Sequence, residues 1–227
     1  RVVILSAGPD LVEPGQALKA DEEFETNSWL LTTAVREVGA IGYRVHSIPD
    51  DEEELLAVIE DQLVRADLIV ISGERNDDSF DLITRTLQKM GEITTLDLAI
   101  ENSGRHNFGQ IGPDKTPVVT LPGDPINAYI SFELFVRPMI RTMLGVATIH
   151  RPSVKAKLEK AISSTPGTRS YVRAILSEDA TSVRALEIQD EISTLSDANS
   201  FIALSEKDET IEAGASVNVV VLERRYI

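Results

Sequence analysis

Three uninterrupted apolar runs constrain this chain more than any other feature: residues 2–5 (VVIL), 68–72 (LIVIS) and 118–121 (VVTL). A strand with one wet face alternates apolar and polar residues, so continuous apolar runs this short read as strands covered on both faces. Each is followed by a turn and a helical pattern. Thr26 or Asn27 can cap a helix whose Leu30, Ala34, Val35 and Val38 share a face and which Gly39 ends. Asp50, with Glu53 three residues on, resembles a capping box ahead of Leu55, Leu56, Ile59 and Leu63. Ser79 can cap a third helix, with Leu82, Ile83, Thr86 and Leu87 inward and Gly91 as its stop, and Pro125 opens a fourth towards Leu144. Strands alternating with helices imply right-handed crossovers, so residues 1–147 are predicted to form an α/β domain with a parallel sheet.

After Gly145 the period changes. Short alternating runs at 154–158, 171–176, 183–188, 201–204 and 217–222 are separated by turn residues such as Thr165, Pro166 and Gly167. That pattern predicts a small all-β domain over residues 148–227.

Composition narrows the chemistry. The chain has no cysteine, which removes disulfides, thiol nucleophiles and thiolate metal sites. His46, His106 and His150 are too scattered for a zinc site, so any metal is expected to be hard and carboxylate-held, such as Mg²⁺. No apolar run approaches the roughly 20 residues that cross a bilayer, and the opening RVVILSAG is too short for a signal peptide; no membrane insertion and a cytoplasmic location are expected. The formal net charge is −15, and residues 1–147 hold 25 acids against 12 bases. Such an excess argues against nucleic acid and for a partner of basic character. A strand-like run that begins directly after Arg1 suggests a piece of something longer.

In an open α/β sheet, ligands sit where the carboxyl ends of strands meet helix N-termini. The corresponding loops hold Gly8 and Asp10 after the first run, Ser72, Gly73, Asp78, Ser79 and Asp81 after the second, and Pro122, Gly123, Asp124 and Asn127 after the third. Glycines there would let backbone approach a ligand closely, and Asp124 suits a helix N-cap.

The order of these loops resembles one family. LSAGPDLVEPG (5–15) is similar to its STGDEL segment with the following PG, ETNSWLL (25–31) to DSNSYML, and IPDD (48–51) matches directly. ISG and SFD (71–73, 79–81) frame the place of SGGVSVGDYD, while LPGDP and FELFVRP (121–125, 132–138) are similar to LPGNP and FELFVRP. Gly167, Arg169, Tyr171 and Arg173 fit GRxxFxR, and Leu195 with Ala198 and Asn199 fits SLAxAN. The chain thus resembles the C-terminal half of the molybdopterin molybdenumtransferase (MoeA/gephyrin) family, lacking two N-terminal domains. The resemblance implies molybdate insertion into adenylylated molybdopterin with Mg²⁺, in a homodimer. By position it implies Asp10, Asp78 and Asp81 as catalytic, and Gly8, Ser72, Gly73, Ser79, Pro122, Gly123, Asp124 and Asn127 as cofactor-binding. Asp81 and Asp124 would be metal ligands.

Departures from the family pattern converge on the same loops. Its MKPGKP segment, with two lysines, aligns with residues 100–105 (IENSGR), where Glu101 reverses a charge. Glu74, Arg75 and Asp77 replace small residues, Pro9-Asp10 replaces Asp-Glu, Glu25 stands for Asp, and Gln189-Asp190-Glu191-Ile192 replaces QGSG. Charge-assisted bonds are worth about 1.5–3 kcal/mol each, so two lost lysines remove roughly 3–6 kcal/mol of anion binding, partly restored if Arg75 and Arg105 point inward. Two functions follow: an active transferase, or a family member with a weakened anion site serving as a gephyrin-like scaffold. The scaffold would bind a peptide in an interdomain groove walled by Phe201, Ile202 and Tyr226.

Overall fold

The computed structural model describes residues 1–8, 10–45, 51–74, 77–186 and 192–222, and no side chain at 74 or 77. The chain divides into two units, Arg1–Leu98 with Arg105–Ile149, and Ala99–Gly104 with His150–Ile227.

The first unit runs β1 (Val2–Ser6), β2 (Leu11–Val12), β3 (Glu23–Phe24), α1 (Asn27–Val38), β4 (Gly42–Arg44), α2 (Glu52–Leu63) and β5 (Leu68–Glu74). It continues with α3 (Asp77–Met90), β6 (Gly91–Asp97), β7 (Arg105–Ile111), β8 (Thr116–Pro122), α4 (Pro125–Ser131) and α5 (Arg137–Met143). Six strands form one sheet in the order β4-β1-β5-β8-β7-β6. The apolar runs are explained by two cores, one per face. Val2, Ile4, Leu68 and Val70 pack against α1, α4 and α5, whereas Val3, Leu5, Ile69 and Ile71 meet Leu55, Ile59, Ile83 and Leu87 of α2 and α3.

The three apolar runs, β1, β5 and β8, pair in parallel as expected, and β4, which carries no apolar run, adds a fourth parallel strand beside β1. The sheet then continues as an antiparallel hairpin, β6–β7, that the apolar pattern does not announce. Residues of β6 are exposed on both faces, apart from the partly buried Ile93, so no period-two signal exists there to read.

Helix starts differ from expectation by a residue or two. The N-cap of α1 is Thr26, without a side-chain bond, and the carboxylate of Glu25 takes over by accepting from the Ser28 amide at 2.8 Å. In α2 the cap is Asp51, which accepts from the Glu54 amide at 2.8 Å, while Asp50 lies outside the described residues. Because α3 begins at Asp77, Ser79 is a buried residue of its first turn and not the cap. The expected single helix after Pro125 is interrupted by a π-turn, Phe132–Val136. Pro138 has no N–H for the Leu134 carbonyl and its ring crowds it, and the Arg137 amide bonds back to Phe132, five residues earlier.

The second unit comprises β9 (Ser153–Leu158), β10 (Ile162–Ser163), β11 (Ser170–Leu176), β12 (Ser182–Ala185), α6 (Ser193–Asp197), β13 (Ser200–Leu204), β14 (Thr210–Ile211) and β15 (Ser216–Val221). Five strands close a barrel in the order β11-β12-β9-β15-β13 around Ala156, Leu158, Ala174, Ile202 and Val219. Phe201 and Ile202 are buried at 2% and 0% exposure, so neither can wall a docking groove; Tyr226 lies outside the described residues.

Residues Ala99–Gly104 belong with this barrel, although the sequence reading placed them in the first domain. Ile100 bridges Arg169 in parallel, the Arg169 amide donates to the Ala99 carbonyl at 2.8 Å, and the Glu101 amide donates to the Arg169 carbonyl at 3.0 Å. The Thr165 hydroxyl adds a bond to Glu101 Oε1 at 2.8 Å. Among the described residues, no helix is long and apolar enough to cross a membrane.

Candidate functional site

At the carboxyl ends of β1, β5 and β8 lies a cavity of about 280 Å³, with Ser6, Gly73 and Gly123 from the strand ends and Glu25, Thr26 and Asn27 from the start of α1. Leu11, Leu18 and Phe24 add an apolar lip, the last two being 43% and 41% exposed. Asn27 ties the floor together. Its amide nitrogen donates to Ser72 Oγ at 2.7 Å and to the Gly123 carbonyl at 2.7 Å, and Ser72 Oγ in turn donates to the Pro122 carbonyl at 3.1 Å. Both donors of the amide are thereby used. A flipped amide would set two carbonyl oxygens against each other, so the Gly123 carbonyl fixes its orientation. The remaining atom, Asn27 Oδ1, is a buried acceptor without a partner.

Beside it, Glu25 is fully buried. Its carboxylate accepts from the Ser28 amide and hydroxyl, and Arg44 Nη1 lies 3.5 Å from Oε2. Arg44 also donates to Glu13 at 2.7 Å and 3.3 Å and to Ser28 Oγ at 3.2 Å, and its guanidinium lies 4.1 Å from the centre of the Trp29 ring. One cation therefore joins the turn after β2, the start of α1 and β4. The cavity wall carries Glu22, Glu23 and Glu25, and among the described residues no Lys, Arg or His lines it. Lys19 hydrogen-bonds Glu22 and holds its carboxyl below the usual range.

Of the residues nominated from sequence, Gly73 and Gly123 line this cavity, and Ser72 supports its floor through Asn27. Gly73 serves packing: with φ 146°, a Cβ there would fall 1.9 Å from the Ala7 carbonyl oxygen. A Cβ on Gly8 would likewise meet the side chain of Leu11, at 3.0 Å. Asp10 is exposed on a turn. Asp124 caps α4, accepting from the Asn127 amide at 2.9 Å, with Pro122 at the end of β8. Asp78 and Asp81 are exposed on α3, and Asp81 Oδ1 lies 3.5 Å from Arg105, whose guanidinium also covers Phe80 at 4.0 Å. Arg105 is thus already engaged with α3. Pro9, Arg75 and Gln189–Glu191, like the side chains of Glu74 and Asp77, lie outside the described residues.

Asn27 was named from sequence only as a possible cap, and Arg44 and Glu13 not at all. For Asn27 the signal lay in the short ETNS segment, where four polar residues precede an apolar helix face.

The fit to Mg²⁺ is poor in this arrangement. Asp81 is paired with Arg105 and Asp124 is spent on a helix cap. Among the described residues, no group of three or more His, Asp or Glu stands where it could hold a metal ion.

Comparison with known proteins gives two matched family models: residues 4–142 match one described as "Probable molybdopterin binding domain", and residues 155–222 match "MoeA C-terminal region (domain IV)". Molybdopterin molybdenumtransferase 1 of Mycobacterium tuberculosis is 30% identical over 231 residues, covering 98% of this chain and 54% of that protein. The Bacillus subtilis molybdopterin molybdenumtransferase is 24% identical, covering 97% of this chain and 52% of its own length. The crystal structure of the MoeA protein of Pyrococcus horikoshii superposes with a TM-score of 0.84 at 27% identity, over 98% of this chain and 54% of that one. The chain spans about half the length of the relatives it matches.

Proposed function

The chain belongs to the MoeA family of molybdenum cofactor biosynthesis, and from that premise we propose that its cavity binds molybdopterin through the pterin ring, as part of a molybdate-inserting enzyme. One observation carries this: Asn27, whose Oδ1 is a buried acceptor without a partner, lines the cavity. A buried acceptor left unpaired costs about 1–3 kcal/mol, which a ligand N–H would recover. The pterin ring offers such donors at its amino and lactam edge, and the apolar lip of Leu11, Leu18 and Phe24 suits its flat faces.

Phosphate is served less well by these residues. The wall is acidic, and the Asn127 amide at the start of α4 already bonds Asp124. This supports a weak hold on the anionic end of the ligand, and slow turnover compared with a lysine-bearing relative. Among the described residues, the carboxylates do not build a Mg²⁺ cage, and no step is assigned to the ion.

Isothermal titration with molybdopterin tests the proposal. Wild-type chain binds it, and Asn27→Leu, which keeps the volume but removes the acceptor together with the two donors to Ser72 and Gly123, binds at least about tenfold more weakly while retaining its circular dichroism spectrum. Absence of binding by the wild type, or equal binding by the variant, would exclude the pterin contact. Rescue of a strain lacking the transferase reports on turnover separately.

A further inference from the structure

The edge strand β6 leads away from the cavity. It is the outermost strand of the six, and among the described residues no strand pairs with its outer edge. Its inner edge pairs residue for residue with β7, from Gly91 opposite Ile111 to Asp97 opposite Arg105, without a bulge. Six of its seven residues are exposed, and Ile93 is partly buried. Thr95 anchors it inward by donating to Asn107 Oδ1 at 2.7 Å.

Such an edge is normally blunted by lysine, proline, a bulge or brevity. β6 has none of these. Its sequence, GEITTLD, places β-formers in the centre, where alternate residues direct both backbone groups away from the sheet. The only charges are acidic, Glu92 and Asp97, at either end of the apolar and threonine centre. Arg105 faces Asp97 across the ladder, but it is engaged with Asp81 and Phe80.

These charges discriminate between occupants. In a second copy paired antiparallel about Thr94, each Glu92 would face the apolar Leu96; shifted by one residue, Glu92 would face Asp97. The first arrangement desolvates a carboxylate and the second opposes like charges, and both are unfavourable. An extended segment with basic residues at positions i and i+5 meets both acids at once and lets apolar or β-branched residues lie beside Ile93, Thr94, Thr95 and Leu96.

We propose that β6 is a docking edge that accepts a basic, extended peptide segment as a seventh strand of the sheet. Main-chain bonds would hold the segment, and the two acids would select its ends.

The test uses a fluorescein-labelled hexapeptide, lysine-valine-threonine-threonine-valine-lysine, and a control with glutamate in place of both lysines. Fluorescence polarisation is expected to show binding of the basic peptide and at least about tenfold weaker binding of the control. The double variant Glu92→Lys, Asp97→Lys alters only exposed side chains and keeps the circular dichroism spectrum of the wild type. In it the preference inverts. Hydrogen exchange of the β6 amides that face away from β7 is fast in the free chain and slows with the basic peptide. No binding by the wild-type chain, no inversion in the variant, or slow exchange of the outward-facing β6 amides before any peptide is added would each overturn the proposal; the last would mean that another segment or copy already covers the edge.

Discussion

At the scale of single residues, the cavity is governed by atoms whose bonding is incomplete or whose space is already taken. Asn27 spends both donors on Ser72 and Gly123, leaving Oδ1 as the polar atom with free capacity. Gly73 is the opposite case. Its backbone passes so close to the end of β1 that a Cβ would sit 1.9 Å from the Ala7 carbonyl oxygen, at a φ of 146° that other residues rarely adopt. Neither backbone can yield without separating β1 from β5, so Gly73→Ala is expected to cost about 3 kcal/mol or more. Urea denaturation measures it; a loss below about 1 kcal/mol would show that the strand ends are looser than described. This difference between two conspicuous residues was not legible in the sequence. Glycine after a buried strand announces a close approach, but whether the neighbour is a ligand or another strand depends on contacts formed with residues far along the chain. Asn27 was hidden for the same reason, because its partners lie 45 and 96 residues away.

At the scale of elements, the strands buried on both faces, β1, β5 and β8, were legible because they must be apolar throughout, whereas the short parallel edge strand β4, with partly buried Tyr43 and Arg44, was not. The five barrel strands were legible from alternation, with bounds within a residue at most ends. The hairpin β6–β7 left no such trace. Its outer strand is exposed on both faces, and the buried residues of its inner strand include the polar His106 and Asn107, satisfied by Ser131 and by Thr84, Thr95 and Thr120. Burial of polar groups that find partners is invisible to a hydrophobic pattern. Helix caps show a milder version of the limit. Asp51 holds α2 through the Glu54 amide, with three glutamates in the first turn favourably placed against the helix dipole. Asp51→Ala is expected to lower stability by about 1 kcal/mol, read as a fall in thermal midpoint; no change would mean that the helix start is held by packing alone.

At the scale of the whole molecule, family membership rests on two matched domains that together span most of the chain, while it covers about half the length of its relatives. We propose the homodimer that the family resemblance implies, and light scattering of this 24.9 kDa chain should then give twice that mass; a monomer would assign the contact to the part of the relatives absent here. Acidity is concentrated in the first unit, and it is also the character of the cavity wall and of the β6 edge. Departures from the family's basic residues were legible in the sequence, but their consequence was not. Glu101, which reverses a lysine charge, is bonded by Thr165 within the barrel unit, and Arg105 is bound to α3.

The excursion of Ala99–Gly104 has a further consequence, in genetic terms. The chain passes between the units three times, at 98/99, 104/105 and 149/150. A single recombination crossover at the last of these would transfer all seven strands of the second unit, the five of the barrel included, but leave behind the stretch that bonds Arg169 and Thr165. The two units are therefore separable in space without being separable as genes, and an exchange of barrels between relatives would conserve its contacts only by carrying that hexapeptide along.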